Sequence, residues 1–477
     1  MLFKELLPGV AEDIGNIEII DITCDSRKVK KGFAFVCING FTSDGHDYAA
    51  DAVKAGASVI VCEKPVGAPA ECIVEDTHKA YAVMSANFFG NPSKSFKLIG
   101  VTGTNGKTSV TYMLKAIIES KGYKTGVIGT IQNLVGDRII EAVNTTPDAY
   151  GLNSLFAQMR DEGCEYVIME CSSHALHQKR IFDLDFEVAA FTNLTQDHLD
   201  YHKTMENYLD AKSLLFTMCK NAVINIDDAY GKQLADNINC NLITYAADDR
   251  SAVYSANGIN MKPDGIEYEM VSDYTIKRIK LKTGGRFSVY NSLCAAVCAK
   301  ILGFTEEEIA NALDNMRGVK GRAEVIASGK DYTIIIDYAH TPDGLSNILS
   351  TFKELKKGRL VCLFGCGGNR DTTKRAIMGS IAAKMSDYVI VTSDNPRNEE
   401  PKLIINDILE GMKDSKTPYI VIEDRKEAIK YAVQNAATGD IIVLAGKGHE
   451  TYQILKSGKI HLDEREVIAE ALSELRK

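Results

Sequence analysis

The stretch from Lys97 to Ile118, KLIGVTGTNGKTSVTYMLKAII, constrains the fold of this chain more than any other. A short apolar run leads into a glycine-rich turn that ends in Lys107 and Thr108, and apolar residues then recur at spacings of three and four. The pattern predicts a buried strand, a tight turn and a helix. Such a turn surrounds phosphate with backbone N–H groups and a helix N-terminus, while its lysine and hydroxyl serve the outer phosphates and a magnesium ion.

The turn departs from the strict phosphate-binding motif at one position, because Val101 stands where that motif has glycine. It matches a shortened form, G-x-x-G-K-T. The alternative is a glycine-rich turn in which the Lys-Thr pair occurs by chance. We favour the phosphate site, which would comprise Thr102, Gly103, Thr104, Asn105, Gly106, Lys107 and Thr108.

Length and composition limit the class of protein. A chain of 477 residues exceeds one ordinary core and indicates about three domains. The net charge of −9 argues against a general nucleic-acid binder, and twelve scattered cysteines without a C-x-x-C pair are typical of a reducing compartment. The first ten residues carry Lys4 and Glu5, unlike a signal peptide, and no apolar run approaches the ~20 residues that span a bilayer. We therefore expect a cytoplasmic protein that binds neither nucleic acid nor membrane.

We expect three α/β units, at residues 1–95, 96–321 and 322–477. The break Asn91-Pro92-Ser93, directly before the strand of the phosphate turn, predicts the first linker. In the first unit Ser26 and the polar turn Phe41-Thr42-Ser43 are conspicuous, although alone they are ordinary loop residues.

The middle unit contains further candidate site residues. An apolar strand runs into Glu170, and a carboxylate at the carboxyl end of a buried parallel strand is a common metal ligand in α/β nucleotide sites. The polar run Asn193 to His202 contains His198, and its two histidines leave a metal site and a structural role equally open. Lys212 lies in the helical stretch Met205 to Phe216, where composition alone predicts a solvated lysine.

The last unit alternates strands with helical patterns, which predicts a doubly wound parallel sheet. Four predicted strands run into polar clusters, at residues 337–343, 365–371, 393–397 and 446–450. Such sheets bind ligands at the carboxyl ends of their strands. Each cluster alone would be an ordinary turn, but four together predict a binding edge.

Nine motifs in order connect these clusters: GTNGKT, ECSSH, TNLTQDHLDYH, DAKSLLF, GVKGRAE, DYAHTPDGL, GCGGNRD, DNPR and GKGHE. Over nearly the whole chain they resemble the Mur ligases, and within that family the enzymes that add the third residue of the peptidoglycan precursor peptide. The resemblance implies an N-terminal UDP-binding domain, a central P-loop ATPase domain and a C-terminal Rossmann-like domain that brings the amino acid. It implies ligation of meso-diaminopimelate to the UDP-MurNAc-dipeptide through an acyl phosphate, with ATP as co-substrate and magnesium as cofactor. We expect a monomer.

The resemblance also implies roles by position. The catalytic residues would be Lys107, Glu170, His198 and a carbamylated Lys212, and magnesium would be held by Thr108, Glu170 and His198. ATP would be bound by the turn at residues 102–108 and, at its adenine and ribose end, by Asn291, Arg322 and Asp337. The UDP-MurNAc-dipeptide would be bound by Ser26, Phe41, Thr42, Ser43, Asn144, Thr145, Thr146, Ser172, Gln178 and Arg180. Diaminopimelate would be bound by Arg370, Asp394, Asn395, Pro396, Arg397, Gly446 and Glu450.

Arg397 carries the expected choice of amino acid. In the family, Asp-Asn-Pro-Arg marks enzymes that use meso-diaminopimelate, and lysine-adding relatives lack the arginine. Diaminopimelate has a second carboxylate, which a guanidinium binds in a bidentate fork, and each charge-assisted hydrogen bond contributes ~1.5–3 kcal/mol. A lysine substrate would leave Arg397 unpaired. This chain departs from the family at Asn369, where aspartate is more usual, and at Cys171, where valine is.

Two other functions share parts of these patterns. A folylpolyglutamate-synthase-like ligase has the same ATPase core, but the DNPR and GKGHE motifs and the substantial first unit argue against it. A nucleotide-switched binding protein of the P-loop class would have an N-K-x-D guanine motif, which this sequence lacks, and would not need four polar clusters in the last unit.

Overall fold

The computed structural model describes residues 1–40, 43–262, 265–326 and 328–475. Within these ranges the chain forms three separate sheets with flanking helices, together with a two-stranded ribbon. The structure confirms the predicted α/β class.

The first sheet has four parallel strands in the order β1-β2-β3-β4. These strands are β1 Asp21–Thr23, β2 Phe33–Val36, β3 Val59–Cys62 and β4 Glu71–Ile73, and their helices are α1 Phe3–Leu6, α2 Glu12–Gly15, α3 Ala49–Lys54 and α4 Thr77–Phe88. Helix α4 begins after Asp76, whose carboxylate accepts a hydrogen bond from the Lys79 amide. Short 3-10 turns lie at Ser26–Lys28, Gly45–Tyr48 and Pro92–Ser95.

The second sheet has eleven strands, in the order β15-β14-β13-β12-β11-β10-β5-β9-β6-β7-β8. The strands are β5 Lys97–Thr102, β6 Thr125–Ile128, β7 Asn133–Val135, β8 Arg138–Ile140, β9 Tyr166–Glu170, β10 Phe186–Phe191, β11 Cys219–Asn225, β12 Asn241–Ala246, β13 Tyr254–Lys262, β14 Gly265–Ser272 and β15 Thr275–Leu281. The helices are α5 Lys107–Glu119, α6 Ala149–Asp161, α7 Ser173–His177, α8 Leu199–His202, α9 Met205–Ser213, α10 Ala229–Ala235, α11 Arg286–Ile301 and α12 Glu306–Asn315, with a 3-10 turn at Leu214–Thr217.

Strand β5 is central because its two faces belong to different cores. Leu98 packs in one core with Phe156 of α6, while Ile99 and Val101 pack in the other with Val110 of α5. A parallel strand that is buried on both faces is apolar throughout rather than alternating, which explains the run before the phosphate turn.

The third sheet has six strands, in the order β16-β17-β21-β18-β19-β20, and only β16 runs antiparallel. Its strands are β16 Glu324–Ile326, β17 Thr333–Asp337, β18 Leu360–Phe364, β19 Tyr388–Val391, β20 Tyr419–Val421 and β21 Ile441–Ala445, and the ribbon is β22 Tyr452–Leu455 with β23 Gly458–His461. The helices are α13 Pro342–Leu355, α14 Thr373–Met385, α15 Pro401–Glu410, α16 Arg425–Gln434 and α17 Glu464–Glu474.

Parallel register brings the polar strand ends to one edge of each sheet. In the second sheet β5 lies between β9 and β10, with Val101 paired to Glu170 and Thr102 paired to Phe191. The phosphate turn, the ECSSH run and the TNLT run therefore leave the sheet side by side. In the third sheet the neighbours β17, β21, β18 and β19 carry the four predicted polar clusters.

Within the described ranges, no helix is both long and apolar enough to cross a lipid bilayer.

Candidate active site

The phosphate turn depends on glycine at two positions. Gly103 has a φ of +143° and Gly106 a φ of +88°, in the region that L side chains rarely adopt. A Cβ at position 103 would lie 1.9 Å from Thr192 Oγ1, and a Cβ at position 106 would lie 2.3 Å from Asn291 Oδ1. The space next to each glycine is therefore filled by a polar side chain of a neighbouring element.

The TNLT segment at residues 192–195 holds the turn in place. The Thr104 amide donates to the Asn193 carbonyl at 2.8 Å, and the Asn105 amide donates to Asn193 Oδ1 at 2.9 Å. Thr192 Oγ1 donates to the Asn105 carbonyl at 2.6 Å. The Thr104 and Asn105 amides are thus already hydrogen-bonded within the protein. The amides of Lys107 and Thr108, in contrast, have no acceptor among the described residues. The N-terminus of α5 is therefore the part of the turn with free donors for an anion.

Lys107 folds over its own turn. Its Nζ donates to the carbonyls of Gly103 at 2.8 Å and Thr104 at 2.9 Å. Burial lowers the pKa of Lys107, and the negative charge of Glu170 opposes that shift. An anion at the N-terminus of α5 would oppose it further and favour the ammonium form.

Glu170 is the carboxylate at the centre of the site. It is 1% exposed at the end of β9, and its Oε1 accepts hydrogen bonds from Thr108 Oγ1 and the Thr130 amide, both at 3.0 Å. Its Oε2 accepts from Thr130 Oγ1 at 3.0 Å. Arg322 Nη2 donates to Thr108 Oγ1 at 3.0 Å, so this hydroxyl joins the second and third sheets. A carboxylate beside a hydroxyl is an oxygen donor set of the kind magnesium prefers, and both residues fit that ion.

His198 lies near this centre but does not contact it. It has a left-handed φ of +54°, its Nε2 is 3.5 Å from Asp197 Oδ2, and its ring packs 4.9 Å from that of His174. The surrounding protein lowers the pKa of His198 to about 4 by desolvation, although 46% of the side chain is exposed to solvent. An imidazole with this pKa or with an unperturbed one is mostly neutral above pH 7, and it then has a lone pair available. Among the described residues, no three His, Cys, Asp or Glu side chains form a complete metal site.

Lys212 is buried, so the prediction of a solvated lysine from composition alone is wrong. Helix α9 ends one residue later and directs this side chain inward, where it is 1% exposed. Its Nζ donates to the Gly103 carbonyl at 2.9 Å and lies 4.6 Å from the centroid of the Tyr208 ring. Burial, together with the positive charge of Lys107, lowers the pKa of Lys212 well below its usual range.

The predicted adenine and ribose residues come from both the second and third units, with Asn291 in α11 and Asp337 at the end of β17. Asn291 packs against Gly106, and the Arg322 guanidinium stacks 4.6 Å from the Tyr338 ring centroid. Asp337 accepts a hydrogen bond from the Ala323 amide at 2.6 Å, and burial raises its pKa.

A further contact between the second and third units involves Asp343, a residue for which the sequence predicted no role. Its Oδ2 accepts hydrogen bonds from Asn105 Nδ2 at 2.8 Å and from Thr195 Oγ1 at 3.4 Å. Asp343 lies inside the DYAHTPDGL motif, so the sequence indicated its position but not its hydrogen-bond partner Asn105. Thr130 and the supporting pair Thr192 and Asn193 were also missed as individual residues.

Five of the predicted dipeptide-binding residues form one network beside Glu170. Thr145 Oγ1 is 3.0 Å from Thr130 Oγ1, and Thr146 Oγ1 donates to the Glu170 carbonyl at 2.7 Å while accepting from the Ser172 amide at 3.0 Å. Arg180 closes the network by donating to Gln178 Oε1 at 2.6 and 3.0 Å and to the Thr146 carbonyl at 3.0 Å.

The remaining dipeptide-binding predictions lie outside this network. Asn144 is exposed, without a hydrogen-bond partner among the described residues. Ser26 begins a 3-10 turn of the first unit, two residues after Cys24. The negative charge of Asp148 acts on the pKa of both Cys24 and Arg180, so this turn lies near the network. Ser43 is exposed in the same unit. Phe41 and Thr42 lie outside the described residues.

Two arginines meet at the carboxyl edge of the third sheet. Arg397, at a left-handed φ of +55°, donates from Nη1 to the Gly368 carbonyl at 2.8 Å, and its Nε and Nη2 have no partner among the described residues. Arg370 is exposed and has no hydrogen bond or ion pair within those same ranges. Burial and the positive charge of Arg370 lower the pKa of Arg397. Two guanidiniums with unused donors have the chemistry to bind a carboxylate.

The loops that carry these arginines are joined directly. The Gly368 amide donates to the Asn395 carbonyl at 2.9 Å, the Asn398 amide donates to Asn369 Oδ1 at 3.1 Å, and Glu399 accepts from the Asn369 amide. Asn369 therefore joins the loops through its side-chain oxygen, which an aspartate would also provide. Pro396 packs against Gly368, where a Cβ would lie 2.0 Å from the Pro396 carbonyl oxygen.

The other predicted amino-acid residues surround one buried lysine. Asp394, Asn395 and Glu450 all accept hydrogen bonds from Lys447, which the sequence analysis did not assign. Gly446 has a φ of +114° and lies against Asp394, where a Cβ would be 3.0 Å from Oδ2.

Three family models match most of the chain. The model described as "Mur ligase family, catalytic domain" matches residues 18–89, "Mur ligase middle domain" matches residues 101–299, and "Mur ligase, glutamate ligase domain" matches residues 321–448.

Individual relatives are similar over their full lengths. A UDP-N-acetylmuramoyl-L-alanyl-D-glutamate--2,6-diaminopimelate ligase of Clostridium botulinum is 48% identical over 466 residues, 96% of this chain and of that protein. A protein of the same name from Caldanaerobacter subterraneus subsp. tengcongensis is 46% identical over 484 residues, 100% of both. The solved structure of a ligase of this name has a TM-score of 0.73 at 30% identity and covers 100% of this chain and 99% of that one.

The geometry of the phosphate turn predicts the effect of Gly103→Ala. The added methyl group would collide with Thr192 Oγ1 at an unfavourable φ, so we expect ATP affinity, measured by calorimetric titration, to fall about 10- to 100-fold. Gly122→Ala is the matched control, because Gly122 also has a positive φ of +83° but has nothing within 4 Å of its Cβ position. Wild-type ATP affinity in Gly103→Ala would contradict this account of the turn.

Proposed function

The chain belongs to the Mur ligase family, and from that premise we propose its reaction and the roles of its residues. It is an ATP-dependent ligase of peptidoglycan precursor synthesis that joins meso-diaminopimelate to UDP-N-acetylmuramoyl-L-alanyl-D-glutamate. The observation that carries the choice of amino acid is the pair Arg370 and Arg397, which have unused donors, with the negative charge of Glu450 near Arg397. Diaminopimelate offers such a site both a carboxylate and an ammonium at its far end.

The first step forms an acyl phosphate. A carboxylate oxygen of the dipeptide attacks the γ-phosphorus of ATP, the bond to the bridging oxygen breaks, and ADP leaves. Lys107 and the free amides at the start of α5 bind the phosphate oxygens, where negative charge accumulates. The network from Thr145 to Arg180 would hold the dipeptide carboxylate next to this site, because Thr146 and Ser172 are bonded to the strand end that carries Glu170.

Thr108, Glu170 and His198 would hold magnesium. The ion, when bound, neutralises phosphate charge and orients the attacking oxygen. Arg322 and Thr108 already share a hydrogen bond, so the third sheet is positioned against this site through Arg322 and Asp343.

Lys212 would carry a carbamate. Carbon dioxide reacts with a neutral amine, and an exposed lysine is only about 0.1% neutral near pH 7.5. Lys212 is buried and lies near the positive charge of Lys107, and both features favour its neutral form. Carbamylation would convert this amine near the phosphate turn into an anion able to support magnesium.

The second step forms the amide. The free amine of diaminopimelate attacks the acyl carbon, the tetrahedral intermediate expels phosphate, and the nitrogen loses a proton. Arg397 and Arg370 would bind the far carboxylate and Glu450 the far ammonium, which leaves the other amine to react. A lysine substrate has no far carboxylate and would leave two guanidiniums unpaired.

We propose that the enzyme acts as a monomer in the cytoplasm. ATP and UDP-linked precursors are cytoplasmic compounds.

Phosphate release tests the proposed function. We expect stoichiometric release of phosphate only when ATP, UDP-MurNAc-dipeptide and meso-diaminopimelate are all present, with lysine a poor replacement.

In Arg397→Ala we expect the KM for diaminopimelate to rise about 10- to 100-fold, because charge-assisted hydrogen bonds are lost, while ATP affinity is kept. Arg278→Ala, at an exposed arginine of β15, is the control. Turnover of lysine equal to that of diaminopimelate would overturn the substrate assignment, and an unchanged KM would remove Arg397 from the pocket.

Bicarbonate dependence tests the role of Lys212. We expect Lys212→Arg to be inactive at every bicarbonate concentration, because a guanidinium stays protonated and forms no carbamate. Lys220→Arg, at an exposed lysine, is the control and should respond to removal and return of carbon dioxide as the wild type does. Substantial activity in Lys212→Arg would contradict a catalytic carbamate.

A further inference from the structure

Lys447 is a buried cation in the loop that follows β21. Its side chain has 0% exposure, and its Nζ donates to Glu450 Oε2 at 2.6 Å, to Asn395 Oδ1 at 3.0 Å and to Asp394 Oδ1 at 3.3 Å. A buried ammonium is tolerated only when it is paired and fully hydrogen-bonded, and these three acceptors match its three donors. All three belong to the proposed amino-acid pocket.

These hydrogen bonds fix the orientation of Asn395. Its Oδ1 accepts from Lys447 and also from the Ile454 amide at 2.9 Å. With two donors at the oxygen, the Asn395 Nδ2 group must face the other way, and it donates to Glu450 Oε2 at 2.9 Å. Lys447 and the Ile454 amide together hold the Asn395 oxygen on one side, so that its NH2 group faces Glu450.

The same contacts orient Glu450. Its Oε2 accepts from both Lys447 and Asn395, whereas its Oε1 accepts no hydrogen bond from a described residue. One carboxylate oxygen is held inside the protein and the other remains for a ligand.

We infer that Lys447 is a positioning residue for the amino-acid substrate, which acts by holding Glu450 and Asn395 in the orientation that receives the ammonium at the far end of diaminopimelate. This inference rests on the proposed function. It separates the pocket into a cationic part, Arg370 and Arg397, and an anionic part whose geometry depends on one buried lysine.

The alternative is that Lys447 only stabilises the loop at residues 446–450. The two roles differ in which kinetic constant changes. A positioning residue affects the KM for diaminopimelate and acts through Glu450, whereas a purely structural residue lowers stability and changes the constants for all three substrates.

The test compares Lys447→Gln and Lys447→Met with Glu450→Gln and with the double variant Lys447→Gln/Glu450→Gln. We expect each Lys447 variant to raise the KM for diaminopimelate about 10- to 100-fold, since a charged hydrogen-bond partner is lost, with the KM values for ATP and the dipeptide unchanged. The double variant should have a KM no higher than that of Glu450→Gln, because both changes remove the same interaction.

Each of three other outcomes would contradict the inference about Lys447. A wild-type KM for diaminopimelate in an active Lys447 variant, additive effects in the double variant, or failure of every Lys447 variant to fold would assign this lysine to stability alone. Wild-type enzyme that does not use diaminopimelate would instead overturn the proposed function, so the two failures are distinguishable.

Discussion

The contact on which the site depends is the hydrogen bond between the Thr108 hydroxyl and the buried carboxylate of Glu170. It joins the start of α5 to the end of β9, so the phosphate turn is fixed relative to the ECSSH run. The carbonyl of Glu170 accepts from Thr146, which in turn accepts from the Ser172 amide. One strand end therefore aligns the proposed nucleotide and dipeptide sites, and parallel register alone brings them to the same edge.

The third unit would supply the remaining substrate, and it contacts the second unit at the phosphate turn. Arg322 donates to Thr108, and Asp343 accepts from Asn105, so both contacts end on the phosphate turn. Through these contacts, occupancy of the phosphate site would influence the position of the amino-acid pocket. Domain closure that aligns an amine with an activated carbonyl would be the functional result.

The sequence predicted most of the α/β architecture, because apolar strands that run into glycine-rich or polar turns are local patterns. Glu170 was identifiable on the same grounds. Lys212 was not, because its burial depends on Gly103 and Tyr208, and helix composition does not report contacts with distant residues. Lys447 and Asp343 lay within recognisable motifs, but their partners became evident only from the folded chain. The diaminopimelate-binding role of Arg397 and the metal-binding role of His198 remain predictions.

The central claim, that the dipeptide carboxylate is activated as an acyl phosphate at the start of α5, is tested most directly by isotope transfer. The dipeptide is labelled with oxygen-18 in its reacting carboxylate and converted with ATP and diaminopimelate, and the released phosphate is analysed by mass spectrometry. The account predicts that each phosphate carries one oxygen atom from the carboxylate, because that oxygen bonds to phosphorus and leaves with it. Unlabelled phosphate accompanying full amide formation would contradict it.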